Sequence, residues 1–404
     1  MPELAHLAPP VAAPRPADRD RAADALRALA IAGMVLGQWL VTAIINSDDG
    51  ALTSSSALTH IPALTPLSWI FQTLAVFFLA GGHSAAGSWA RAQASGLGYR
   101  AWLTAQVRRL TAPVGGLLAL WAITTVALLV GGVPVQTLRT LPTLVLSPLS
   151  FLLVFTALTA ATPLIARLNV LWPLAVVLHV DLLRFAFGAP TWLGWINVVA
   201  GWMVPYCLGT AWARGAFASN RTAWGLTLGG AVTTAALLLW GGYPAPMVGV
   251  PVSNLSPPTL AAITFGLTQC GLALLLREPL RRAMRRRPLW AAVSVVNLSA
   301  FTIFIWHQTA MLVVTSLGTI AGRLPGLGTA PDSSGWMIQR IGWIPLFVVA
   351  LAACWAAFHP LETRQASRAT ARGRRHTGKE MRWPLSTPDP RKAGHGEDPS
   401  HGTA

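Results

Sequence analysis

Ten apolar stretches, each long enough to cross a bilayer as a helix, succeed one another between residues 24 and 359, and basic residues crowd into alternate connections between them. A helix needs roughly 20 predominantly apolar residues to span the hydrocarbon core. The stretches run 24–45, 65–83, 113–132, 147–164, 170–188, 192–211, 222–241, 258–277, 291–318 and 340–359. Composition agrees: of 404 residues 53% are hydrophobic and only 11% charged, with a mean hydropathy of +0.52. A water-soluble protein of that size cannot cover so much apolar surface. The expected fold is therefore all-α, a polytopic membrane protein built as a ten-helix transmembrane bundle.

The charges orient this bundle. With the N-terminus in the cytoplasm, 26 of the 30 lysines and arginines fall on that side, and only Arg139, Arg184, Arg323 and Arg340 lie elsewhere. Such a bias is what the positive-inside rule predicts for an even number of spans with both termini cytoplasmic. The net charge of +16 is thus topological. It favours anionic lipid headgroups as partners and argues against nucleic acid. Residues 1–19 are rich in proline and alanine, and 363–404 in arginine, proline, glycine and histidine; both read as disordered cytoplasmic tails flanking a membrane domain over 20–362. Cys207, Cys270 and Cys354 lie far apart within apolar stretches and read as small core residues, with neither disulfide nor metal spacing. The segment 241–258, apolar and studded with prolines, reads as a shaped lid on the outer side.

Polar residues inside the spans are the candidates for function, because such groups are costly in hydrocarbon. The first span carries Asp24 and Arg27 at its mouth and Gln38 deep within it. Eleven residues separate Arg27 from Gln38, so they share a face about 16 Å apart along the axis. Asp24 and Arg27, three apart, can pair on one face; the alternative is an interfacial anchor. Gln38 can also serve as a plain interhelical hydrogen bond. In the fifth span, Asp181 and Arg184 repeat the same spacing, with His179 just before them. They either face a wet cavity or lock two helices as a structural ion pair. His307 follows Trp306 in the ninth span, and it and Gln38 both lie about 20–25 Å from their cytoplasmic entrances. The Arg277–Arg287 run and the Arg108-Arg109 pair can clamp phosphates or simply fix topology.

The stretch Arg21-Ala-Ala-Asp24-Ala-Leu-Arg27-Ala-Leu-Ala-Ile31, opening a ten-span chain, resembles the first helix of the acyltransferase 3 family of integral membrane O-acyltransferases. Phe77-Phe-Leu-Ala-Gly-Gly82 with Ser88-Trp89, Arg109-Leu-Thr-Ala-Pro113, Trp306-His307 and the Tyr243–Pro258 loop extend the resemblance, in order, over about 20–360. It implies transfer of an acyl group, usually acetyl, from acetyl-CoA or another acyl-CoA to a hydroxyl of a carbohydrate or small secreted product. No metal is implied. The family's first helix pairs an arginine with a histidine eleven positions on. Arg27 matches the arginine, but Gln38 occupies the histidine position. A second family element, Arg-x-x-Arg before the third span, is also altered: Gln106 stands at the first arginine and Arg109 matches the second.

The change matters chemically. Histidine can take a proton from a hydroxyl near neutral pH, and a glutamine amide cannot. An amide can still donate to a carbonyl or orient a hydroxyl. Three readings stay open. His307, with His179 in reserve, supplies the base while Gln38 orients substrate; or Gln38 and Gln106 have adapted together to a different acyl donor or lipid carrier; or the chain is a catalytically inactive member that binds or transports a substrate. The first gives the expectation carried forward: catalytic His307, Gln38 and His179; acyl-CoA contacts from Arg27, Arg109 and Arg108; acceptor contacts from Asp24, Asp181 and Arg184; and a multi-pass location in the plasma membrane.

Overall fold

The structure is a computed structural model that describes residues 20–47 and 50–380, with the side chains of 109, 110, 112 and 359–380 left out. Residues 1–19 and 381–404, most of the stretches read as tails, lie outside the described residues. The chain divides into two units, Met1–Glu362 and Thr363–Ala404. In the first unit the chain begins with α1 (Arg21–Val41), a hairpin of β1 (Thr42–Asn46) and β2 (Leu52–Ser56), and the short helices α2 (Ala57–His60) and α3 (Thr65–Ile70). It continues through α4 (Leu74–Ala94), α5 (Tyr99–Val130), α6 (Val135–Ala160), α7 (Thr162–Ile165), α8 (Leu171–Phe185) and α9 (Ile196–Ala213). Next come α10 (Asn220–Trp240), α11 (Leu260–Ala283), α12 (Arg287–Leu298), α13 (Ala300–Ile320) and α14 (Ser334–Glu380), whose backbone enters the second unit.

The protein is an all-α, multi-pass membrane protein. Eight helical segments among the described residues are long and apolar enough to cross a membrane. The other two expected spans fall on α8, with 15 residues, and α9, with 18. Within α9, Asn197, Trp202, Pro205 and Tyr206 dilute the apolar run. The helices are layered: α13 has 72% of its apolar window buried in protein, whereas the window in α14 has 11%. A helix buried on all sides can carry polar groups that a lipid-facing helix cannot. Helices α4 and α9 pack backbone to backbone. A Cβ added at Gly82 would run into the Tyr206 carbonyl, and one at Gly209 into the Leu79 carbonyl. Only glycine lets the backbones meet so closely, the small-residue contact typical of membrane helices.

Two boundaries differ from the sequence expectation. The first span, expected to reach residue 45, ends at Val41. From Thr42 the chain forms an antiparallel hairpin with Thr42 opposite Ser56 and Asn46 opposite Leu52. Its turn closes with Ser47 N–H donating to Ala51 O and Gly50 at φ +76°, a left-handed value that glycine adopts without strain. The ninth span, expected as one helix over 291–318, breaks at Ser299. There the Ser299 hydroxyl accepts from Trp355 Nε1 (2.5 Å), while Asn297 Nδ2 reaches across to the Asp24 carbonyl (2.8 Å). These bonds anchor the junction to neighbouring helices. The membrane helix bearing His307 therefore starts at Ala300, and His307 lies seven residues, about 10 Å, inside it.

Candidate functional site

At the end of the bundle where α1 meets the hairpin lies a cavity of about 600 Å³. Gln38 from α1, Phe71, Ser147 from α6, and Phe304 and His307 from α13 line it, with the hairpin serines 54–56 and the 248–256 stretch closing over them. The segment expected as a shaped lid does cover the cavity. Asn254, fully buried, organises it: its Nδ2 donates to the carbonyls of Pro244 and Pro246, and its Oδ1 accepts from Thr259 Oγ1 at 2.7 Å. Gly249, at φ +84°, rests on the hairpin, where an added Cβ would sit 2.7 Å from Ser56 Oγ and 2.9 Å from Val41.

His307 is 2% exposed and its bonding fixes its chemistry. Nδ1 lies 2.6 Å from the Phe304 carbonyl, which can only accept, so Nδ1 carries the proton. Nε2 then bears a lone pair, and it has no hydrogen-bond partner among the described residues. A buried basic nitrogen without a partner, on a ring that lines a cavity, is poised to accept a proton from whatever enters. Gln38 faces the same space. Its Oε1 accepts from Thr42 Oγ1 at 3.2 Å and lies 3.5 Å from Gln308 Nε2, an arrangement that leaves the Gln38 NH₂ group to donate.

A residue with no assigned role in the sequence holds these two helices together. Arg340 of α14 is fully buried. Its Nε donates to Trp39 O (2.6 Å), one NH₂ group to Thr42 O (2.7 Å) and the other to Gly326 O (3.1 Å). The first two are terminal carbonyls of α1, the negative end of its dipole, where a guanidinium is favoured. Trp39 in turn donates from Nε1 to the His307 carbonyl at 3.0 Å. Arg340 thus pins the end of α1 that carries Gln38, and Trp39 ties that end to the turn carrying His307. The only hint in the sequence was an arginine on the wrong side of the charge bias, inside an apolar window.

The remaining candidates separate into other places. At the opposite, basic end of the bundle, Arg27 donates to Ser84 Oγ and to Ala80 O (3.3 Å), and approaches Asp24 at 4.0 Å. Nearby, Asp20 pairs with Arg281 (3.4 Å) and His83 (3.7 Å). The expected Asp24–Arg27 pair is present, but Asp24 is remote from the cavity. Arg108 is exposed on α5, and the Arg109 side chain lies outside the described residues. Gln106 Nε2 donates to Ser88 Oγ at 2.9 Å, which also accepts from Trp102 Nε1 at 3.1 Å. His179 is exposed on α8, its Nδ1 bonded back to Ala175 O, and does not reach the cavity. Helical periodicity turns it away from Asp181, two residues on.

Asp181 and Arg184 do not line the cavity either. Asp181, 1% exposed, accepts from Leu260 N (2.6 Å), Asn197 Nδ2 (2.9 Å) and Tyr243 OH (3.1 Å), with Arg184 at 3.5 Å. The carboxylate is saturated. It caps the first turn of α11 and fastens the root of the lid to α8 and α9. Burial, and then the adjacent carboxylate, push the Tyr243 phenol above its usual pKa, so it remains a neutral donor. Of the two sequence readings, the structural ion pair is what these contacts describe.

Between the basic end and the cavity stands a layer of aromatic rings. Thr73 is bonded to Ala30 and Ala80 to Arg27, which sets Phe77 at the level between them. Its ring centroid is 5.0 Å from that of Phe155 and 6.3 Å from that of Phe304, which also lines the cavity. The family model described as an acyltransferase domain, that of the acyltransferase 3 family, matches residues 20–359, and the chain belongs to that family. No curated protein and no solved structure matched the chain. Membership supports an acyltransferase-type function.

Proposed function

We propose that this protein is a membrane O-acyltransferase that moves an acyl group, acetyl in the first instance, from acyl-CoA to a hydroxyl of a carbohydrate or small secreted product. The observation that carries this reading is the His307 Nε2 lone pair, unpartnered and buried beside a hydroxyl-lined cavity. The acceptor hydroxyl gives its proton to Nε2 as its oxygen attacks the thioester carbonyl. The Gln38 amide donates to the oxygen on which negative charge develops. Collapse of the tetrahedral intermediate releases the ester and coenzyme A, whose sulfur takes the proton held by His307. General-base help of this kind is worth ~10²–10⁴-fold in rate.

The orientation that fits is the basic end, with both termini, in the cytoplasm and the cavity toward the far face of the plasma membrane. Arg27, with Arg108 and Arg109, then meets the donor's phosphates or carbonyl where acyl-CoA is found, about 16 Å along α1 from Gln38. The acyl-bearing arm has to pass the Phe77 layer to reach His307. The aromatic layer favours a second reading, a binding or transport member without transfer chemistry, to which Gln38 and Gln106 also incline. The test is mass spectrometry of envelope glycans and secreted metabolites from cells with wild type, His307→Ala or no gene. The expected result is an acetyl increment present only with wild type. An increment that persists with His307→Ala removes His307 from the mechanism, and no increment in any arm favours the second reading.

A further inference from the structure

The cavity lining also specifies the charge of what it receives. Among the described residues lining it there is no aspartate, glutamate, lysine or arginine, and His307 is its one ordinarily titratable group near neutral pH. In a chain with net charge +16 and arginines at every cytoplasmic-side connection, that neutrality is local. Arg340, bonded to the backbone of the lining residue Thr42, is fully buried with its donors committed to backbone carbonyls of Trp39, Thr42 and Gly326. It has no face on the cavity to offer an anion. Placing a carboxylate or phosphate in such a space strips its hydration without a counter-charge.

What the lining offers instead is hydroxyls interspersed with apolar and aromatic side chains. Ser54, Ser55 and Ser56 come from the hairpin and Thr59 from α2, with Ser253 and Ser256 from the lid. Thr59 Oγ1 donates to Gly249 O, Ser56 Oγ accepts from Leu58 N and Ser55 is bonded to His60; the capacity that remains both donates and accepts, which suits a ligand that does the same. Phe71, Leu144, Phe151 and Phe304 add apolar surface to the same lining, with Ser147 between Leu144 and Phe151 on α6. A sugar or polyol has hydroxyls around its edge and C–H groups on its faces, which suits a lining that mixes hydroxyls with apolar surface.

We infer that the cavity takes an uncharged polyhydroxyl acceptor, a neutral glycosyl or polyol group carrying an apolar portion, and excludes acidic sugars and phosphorylated acceptors. The inference rests on the acyl-transfer reading only for the word acceptor; the charge selection stands on the lining alone.

The probes are phenyl β-D-glucoside and phenyl β-D-glucuronide, identical but for one carboxylate, titrated calorimetrically into the full chain in lipid nanodiscs. The glucoside is expected to bind at least about tenfold more tightly, and Ser147→Trp, which fills the cavity, to remove that binding. Ser54→Arg, which adds a cation to the hairpin wall, is expected to narrow or reverse the preference. Equal or tighter binding of the glucuronide to wild type overturns the inference. So does binding of neither probe, or glucoside binding indifferent to Ser147→Trp in protein that still elutes as a single folded species. Adding radiolabelled acetyl-CoA separates the two claims. Glucoside that binds but is never labelled sinks acyl transfer and leaves charge selection standing, whereas a labelled glucuronide does the reverse.

Discussion

Asp181 and His307 are both buried polar side chains on apolar helices, with exposures of 1% and 2%, and they have opposite characters. Asp181 is satisfied: a backbone N–H, an amide, a phenol and a guanidinium converge on its two oxygens. Nothing is left on the carboxylate for a ligand, and neither Asp181 nor Arg184 is among the residues lining the cavity beside His307. His307 spends one nitrogen on its own helix and keeps the other unpartnered beside empty space. A charge in the membrane is thus a poor guide to function by itself. The difference between a strut and a site lies in whether bonding capacity remains once the fold has formed.

That contrast can be broken most directly at its two centres. His307→Ala is expected to lower transfer by ~10²–10⁴-fold while leaving thermal unfolding in detergent unchanged. Asp181→Ala is expected to do the opposite. It leaves Arg184 buried without its partner and costs ~3–5 kcal/mol of stability, seen as a lower melting temperature with normal turnover per folded molecule. If the two variants exchange these signatures, the distinction between strut and site fails.

Arg340→Met falls between them. Its loss frees the carbonyls at the end of α1, at ~1–3 kcal/mol for a buried group left unsatisfied, and loosens the turn bearing Gln38. The expected outcome is a moderate drop in melting temperature together with a drop in kcat, partly recovered by Arg340→Lys. A change in stability alone would confine Arg340 to the fold. Gly249→Val tests the lid: the positive φ and the contact with Ser56 predict a loss of ~1–3 kcal/mol and weaker acceptor binding by titration. Gln38→His has the smallest expected effect, within about tenfold. It raises transfer if the amide stands where a second base once helped, and in the His307→Ala background it restores part of the lost rate. No change in either background limits Gln38 to orienting substrate.

Much of the fold was legible in the sequence because hydrophobic length and the placement of arginines are one-dimensional properties. The lid was readable from its prolines; Gln38 and His307 do share a cavity, but the depth expected for His307 took its helix to open at 291, and it opens at Ala300. The hairpin was missed although Asp49-Gly50 between Ile44-Ile45 and the Ser54–Ser56 run is a turn signal of the kind that closes two strands; continuing apolarity from α1 masked it. The break at Ser299 was missed because it depends on bonds to Asp24 and Trp355, residues far off in the chain. His179 was drawn into the candidate list by its neighbours in sequence, and helical rotation puts it on the outside.

Sequence alone determined that the chain crosses a membrane many times, which way its charge bias points, and to which family it belongs, because each follows from residue type and order. Only the tertiary structure decided which polar side chains stay unsatisfied. Whether an imidazole nitrogen or a carboxylate oxygen has a partner depends on helices that meet across the bundle, and that pairing is written nowhere in the local sequence.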